Sequence, residues 1–316
     1  MSAITDSQDG LNEPIQVLIT LHPSFDLLDF AGPLEVLTGA QHDPKDSGNH
    51  FHSSVCPIFV STKHVNMITS ATKAFEITIA AAAQYTTAKQ GCTVRADIDY
   101  EEAHDRLSEF DVLVVPGGST EPVLKSNSEP IALIKAFGEQ QTKDPSRERT
   151  LLSICTGALF LAQAGALQGM AATTHPDYYT KLEIACGDAA RKDSGVRTDV
   201  MEERYVVNNA RFELGENLDE NPFVLSKRPD GRRKSIARKG SNAWKESNRR
   251  QSMSNARRAS MRLGGLRVIT SGGVTAGLDA SLYLVAALVS HESAEEVARI
   301  AQYTWNKGVV VEGIDV

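Results

Sequence analysis

TLLSICTGALFLAQAGAL, residues 150–167, joins a short apolar run to a pattern of small and apolar residues with no linker between them. Thr150–Ile154 reads as a buried strand. Thr156–Leu167 reads as a helix that packs closely, because Gly157, Ala158, Ala162 and Ala164 are small. Cys155 then stands at a sharp strand-to-helix turn, pushed out at the top of a sheet and at a helix N-terminus. Free backbone N–H groups and the positive end of the helix dipole there favour a thiolate. The arrangement is that of a nucleophile elbow with sulfur in place of oxygen. A cysteine in an apolar setting is also compatible with a purely structural, buried role.

Two further segments bear on that choice. Asp111–Ser119 (DVLVVPGGS) is a buried strand that runs into Pro116-Gly117-Gly118. Paired glycines after a strand let backbone approach a ligand closely and offer N–H donors to a developing anion, which makes Gly117 and Gly118 candidates for stabilising substrate charge. An ordinary strand-ending turn has the same sequence. Leu27–Leu37 (LLDFAGPLEVL) places Asp29 at the end of a loop after the first strand, with Gly32-Pro33 opening a helix. Asp29 reads either as a site carboxylate or as the cap of that helix. Glu35, deeper in the same helix, reads as structural or pocket-lining.

Apolar runs at Ile15–Leu21, Val55–Ser61, Val112–Val115, Leu151–Ile154 and Ala171–Thr174 read as strands. Helical patterns at Pro33–Gly39, Glu129–Gln141, Thr156–Leu167 and Asp177–Cys186 lie between them. This alternation predicts an α/β fold with a mostly parallel sheet covered on both faces. Ligands of such sheets sit at the carboxyl ends of strands. Asp29, Gly117, Gly118, Cys155 and His175 each follow a strand and are expected on that edge. Glu203–Asn209 and Leu266–Thr270 read as an antiparallel pair, and Ala276–Ser290 and Ala294–Tyr303 as the last helices.

The chain has 316 residues, 41% of them hydrophobic, and a net charge of −7. No apolar run is long enough to span a membrane. The polar, acid-bearing stretch 1–14 reads as a disordered tail rather than a targeting signal. Cys56, Cys92, Cys155 and Cys186 show no CxxC and no Cys/His metal spacing, so a reducing, cytoplasmic setting with no metal is expected. No GxGxxG or P-loop points to a nucleotide cofactor. Residues 15–316 read as one domain, interrupted by a basic, disordered insertion at 213–264. Within it, 227–262 holds 13 Lys and Arg against 2 Asp and Glu, a net of +11, which leaves the rest of the chain at −18. A stretch so charged and so poor in large apolar residues cannot offset its ordering entropy. Three Arg-Arg-x-Ser runs end at Ser235, Ser252 and Ser260 and resemble sites of basophilic kinases. A solvated basic loop is the alternative. No aromatic platform accompanies the charge, so nucleic acid is not the expected partner.

Taken together, LLDFAGPLEVL (27–37), DVLVVPGGS (111–119), SICTGALFLAQAGALQGMAATTH (153–175) and ITSGGVTAGLDASLYLVA (269–286) resemble the ThiJ/PfpI superfamily, the class I glutamine-amidotransferase-like fold. The branch they resemble most is that of the isonitrile (isocyanide) hydratases. The resemblance implies a flavodoxin-like three-layer α/β sandwich, a homodimer, and Cys155 as nucleophile. Asp29 matches the position at which the hydratases carry an aspartate beside the cysteine, and Thr156 matches their threonine after it. One departure is Pro176, where the branch commonly carries Trp after the TTH run. The basic insertion has no counterpart in the pattern.

The resemblance implies hydration of a small electrophile, an isonitrile, to an N-substituted formamide without a cofactor. Cys155 would form a thioimidate, Asp29 would carry the proton, Thr156 would position the acid or the water, and the amide near Gly118 would stabilise charge on the adduct. For His175 two readings stand: an imidazole turned toward Cys155, or a strand-end residue bonded locally. Two other functions fit the same segments. One is a glyoxalase-like or other Cys-dependent hydrolase attacking a carbonyl. The other is a non-enzymatic sensor domain like that of AraC-type regulators.

Overall fold

The computed structural model describes residues 13–42, 73–192, 196–209, 224–226 and 265–311. Its first half runs β1 (Ile15–Leu21), α1 (Leu27–Gly39), β2 (Phe75–Ala81), a small hairpin of β3 (Tyr85–Thr87) and β4 (Thr93–Arg95), α2 (Tyr100–Asp105), β5 (Val112–Val115), α3 (Glu121–Ser126) and α4 (Ile131–Lys143). Next come β6 (Thr150–Ser153), α5 (Ala158–Gln163), β7 (Ala171–Ala172), α6 (Tyr179–Lys192), β8 (Asp199–Val200), β9 (Tyr205–Asn208) and β10 (Val224–Ser226). The chain closes with β11 (Arg267–Ser271), α7 (Ala276–Leu288), α8 (His291–Ile300) and β12 (Gly308–Val311).

Eight strands form one sheet in the order β10-β12-β9-β11-β6-β5-β1-β2. The pairs from β11 through β2 are parallel, β9 runs antiparallel to β11, and β12 and β10 follow the direction of β9. Strand side chains alternate between faces, so β1 feeds two cores. Val17, Ile19 and Leu21 pack with α1, α7 and α8, while Leu18 joins Leu113, Leu151 and the apolar faces of α2, α4, α5 and α6. The result is the flavodoxin-like α/β sandwich expected from the sequence. No helix among the described residues is long and apolar enough to cross a membrane.

Several elements differ from expectation. The helix expected to open at Gly32-Pro33 begins at Leu27, because Asp26 caps it by accepting the Leu28 N–H (3.2 Å). Pro33 therefore lies inside α1, and Asp29 lies in its first turn rather than in a loop. The helix expected over Thr156–Leu167 is a single 3₁₀ turn, Cys155–Gly157, followed by the shorter α5. The run Ala171–Thr174 yields only β7, which pairs with β8 outside the main sheet. Val224–Ser226 pairs with β12 at the sheet edge, so the range 213–264 is not wholly outside the fold. The antiparallel pairing of the two strands flanking that range is as expected. The strand expected at Val55–Ser61, Cys56, and the serines 235, 252 and 260 fall outside the described residues; the strand beside β1 is β2.

Candidate active site

The ends of β1, β5 and β6 are adjacent in the sheet, and the chain leaving each carries one part of the site. At the end of β6, Cys155 has φ +56°, in the left-handed region that a non-glycine residue enters only at a cost. Ile154 before it is extended and Gly157 after it is already helical, so the whole reversal is concentrated on Cys155. The turn seats on the end of β5. A Cβ on Gly157 would stand 2.3 Å from the Val115 carbonyl oxygen, a distance no side chain can adopt.

Gly118 has φ +130°, which frees the chain after Pro116 to fold back over the elbow. Its N–H donates to Thr156 Oγ1 (2.8 Å), and that hydroxyl donates to the Gly118 carbonyl (3.1 Å). Thr156 thus ties the elbow to the glycine turn. The Gly117 N–H donates to Asp29 Oδ2 (3.2 Å), and the Gly117 carbonyl accepts from the Asp26 N–H (2.9 Å). The expectation that these two glycine amides face a developing anion is therefore corrected. They are bonded to Asp29 and Thr156. Likewise the Thr156 hydroxyl is engaged by backbone and not turned to a substrate.

Asp29 is fully buried, and Oδ1 has no N–H or O–H donor on it. Cys155 stands close enough to that carboxyl for each group to shift the titration of the other. Burial, then the nearby charge of Asp26, pushes the Asp29 carboxyl up to about 7, against the pull of the Gly117 N–H and the thiol. Burial, then the charge of Asp29, pushes the Cys155 thiol up to about 12. The dipole-stabilised thiolate expected from the sequence is corrected on this point. A carboxylate beside a sulfur in a dry site outweighs the backbone donors of one short turn. At neutral pH the proton rests on the pair.

The other expected residues separate. His175 follows Thr174, whose hydroxyl donates to the Cys155 carbonyl (2.8 Å). Its Nδ1 accepts from the Asp177 N–H (3.2 Å), and the ring stands edge-on to Tyr178 (5.9 Å). It caps the 3₁₀ turn Pro176–Tyr178 and makes no bond to Cys155. Glu35 is exposed on α1, away from the buried Asp29.

Three residues escaped the sequence reading. Thr174, in the TTH run, donates to the Cys155 carbonyl (2.8 Å) and braces the elbow. His22 is buried under the glycine turn, edge-on to Phe160 (5.1 Å), with Nδ1 3.0 Å from the Pro23 carbonyl. Burial pulls its pKa down, so it is neutral. Asp26 is half-buried at the head of α1. No group of three or more His, Cys, Asp or Glu that could hold a metal occurs among the described residues.

A THiJ/PfpI family protein from Pseudomonas syringae superposes with a TM-score of 0.53 at 17% identity, covering 97% of this chain and 83% of that one, and so shares the fold. A deglycase of Pyrococcus abyssi is 34% identical over 90 residues, 28% of this chain and 49% of the relative. An isonitrile hydratase of Pseudomonas putida is 36% identical over 88 residues, 28% of this chain and 35% of the relative. The chain thus spans about half, or less, of the length of these curated relatives. The model of the DJ-1/PfpI family matches residues 15–210, well over half of the sequence and all of the elements that carry Asp29, Gly117 and Cys155, and on that match the chain belongs to the DJ-1/PfpI family.

Proposed function

We propose that this chain is an enzyme that adds water to a small electrophile through a covalent adduct on Cys155, with isonitriles as the substrate class. The observation that supports this reading best is Cys155 at a positive-φ elbow with the fully buried Asp29 carboxyl beside it, which burial pushes up to about 7. An isonitrile, R–N≡C, requires a nucleophile and a proton at the same carbon. A thiol that shares its proton with a carboxyl group can supply both. Asp29 takes the proton from Cys155 as sulfur bonds to the carbon, and passes it to that carbon, giving the thioimidate R–N=CH–S–Cys. Asp29 next removes a proton from water as the hydroxyl bonds to the same carbon, and passes that proton to nitrogen. As the C=O forms, the C–S bond breaks and the hydroxyl proton goes to sulfur, leaving R–NH–CHO and the free thiol. Thr156, Gly117 and Gly118 act by holding Asp29 and the elbow in register. His175 and Glu35 have no part in these steps.

The match to the Pyrococcus deglycase supports a second reading, in which the same thiol adds to an aldehyde carbon. A panel of isonitriles and methylglyoxal separates the two. The expected result is formamide from at least one isonitrile, and its loss to background in Cys155→Ala and Cys155→Ser with the folded state retained. Turnover of methylglyoxal alone would favour the carbonyl reading. Near-parental rates in both variants would end either one.

A further inference from the structure

Two acids lie three residues apart at the head of α1, one buried against Cys155 and one half-buried at the cap. At that spacing they share a face of the helix. Among the described residues every partner of Asp26 is neutral. Its carboxylate accepts from the Leu28 N–H (3.2 Å) and from Gln90 Nε2 (2.9 Å), and Gln90 Oε1 in turn accepts from the Leu27 N–H (3.0 Å). Among the described residues no Lys or Arg pairs with Asp26 or Asp29. Lys89, beside Gln90 at the tip of the β3–β4 hairpin, is exposed and makes no ion pair among those residues. The titratable groups that feel the charge of Asp26 are Asp29 and Cys155, and the glycine turn meets it with backbone only. Asp26 and Asp29 also meet at Gly117: the Asp26 N–H donates to its carbonyl, and its N–H donates to Asp29.

We propose that Asp26 is a second carboxylate of this site, a positioning residue whose uncompensated charge keeps the proton on the Asp29–Cys155 pair. The proposal rests on the reading of that pair given above. The charge of Asp26 stands second only to burial among the influences raising Asp29, and also contributes at Cys155. Gln90 fits this role: an amide orients the carboxylate by one bond without neutralising it, which Lys or Arg at that position would do.

Asp26→Asn is the discriminating variant, because Asn caps a helix as well as Asp does and can still accept from Gln90. The readout is the pH dependence of Cys155 alkylation by iodoacetamide, quantified on the Cys155 peptide so that the other cysteines do not contribute. The expected result is a midpoint moved to lower pH, read as about threefold or faster alkylation at fixed pH on the rising limb. Raising salt should bring the parent part of the way to the variant, since a half-buried charge is screened. Asp26→Ser, a second neutral cap, should match Asn and guards against an accident of one side chain. An unshifted profile in both folded variants overturns the proposal. This readout needs no substrate. Loss of the shift with Cys155→Ala inactive sinks the proposal alone, and a shift with Cys155→Ala still active sinks the functional reading alone.

Discussion

Asp29 and Cys155 occupy a site that suits neither as an ion. For Asp29 the consequence for stability has a definite sign. Below about pH 4 the carboxyl is neutral in both folded and unfolded chains. Between about 4 and 7 the unfolded chain releases the proton and the folded chain holds it, so stability falls across that window and then levels. Asp29→Asn keeps the acceptor for Gly117 and cannot ionise. Its urea midpoint, measured from pH 4 to pH 8, is therefore expected to gain on the parent as pH rises. Thr156 makes a second prediction. Thr156→Val keeps the shape but strips the Gly118 N–H and carbonyl of their partner, at a cost of about 1–3 kcal/mol, while Thr156→Ser restores stability; urea unfolding reads both. Cys155 was legible because an apolar strand met a small-residue helix at one residue. The protonation of its thiol was not, because that depends on Asp29 arriving from a different strand end, and burial of that kind has no local signature. Asp26 and His22 were illegible for the same reason.

At the scale of elements, α1 shows how capping overrides a breaker. The Gly32-Pro33 pair reads as a helix start, yet the Asp26 cap sets the start earlier, and Pro33 is carried within the helix with its i−4 carbonyl, that of Asp29, left without its helical donor. β2 was missed because its partly covered face blurs the apolar run, and β12 because four residues give little period to read. The clamp that seats the segment before β12 was missed too. Asp279, fully buried in α7, accepts from Arg204 Nε (2.7 Å), from Arg204 Nη2 and from the Asn306 N–H (2.8 Å), and Trp305 Nε1 donates to the Asp279 carbonyl (3.1 Å). Removing the cation strands a buried carboxylate. Arg204→Met is expected to cost about 3 kcal/mol or more in urea unfolding, with a red shift of Trp305 emission as the 303–306 segment loosens.

For the whole molecule, the alternation of strands and helices announced a covered, mostly parallel sheet, and that sheet gathers the ends of β1, β5 and β6 at one edge. The basic segment 227–262 lies outside the described residues. Replacing 227–262 by a short linker, with Val224–Ser226 kept because it pairs with β12, is expected to leave the thermal midpoint and turnover close to parental; calorimetry and the isonitrile assay check it. The strand order has a different consequence, for synthesis. β12 lies between β9 and β10 and hydrogen-bonds to both, although it is made long after either. On the ribosome, Val206 and Val207 therefore present a bare edge to other nascent chains until residues 308–311 emerge, and a chain clipped before that point keeps this adhesive edge for good.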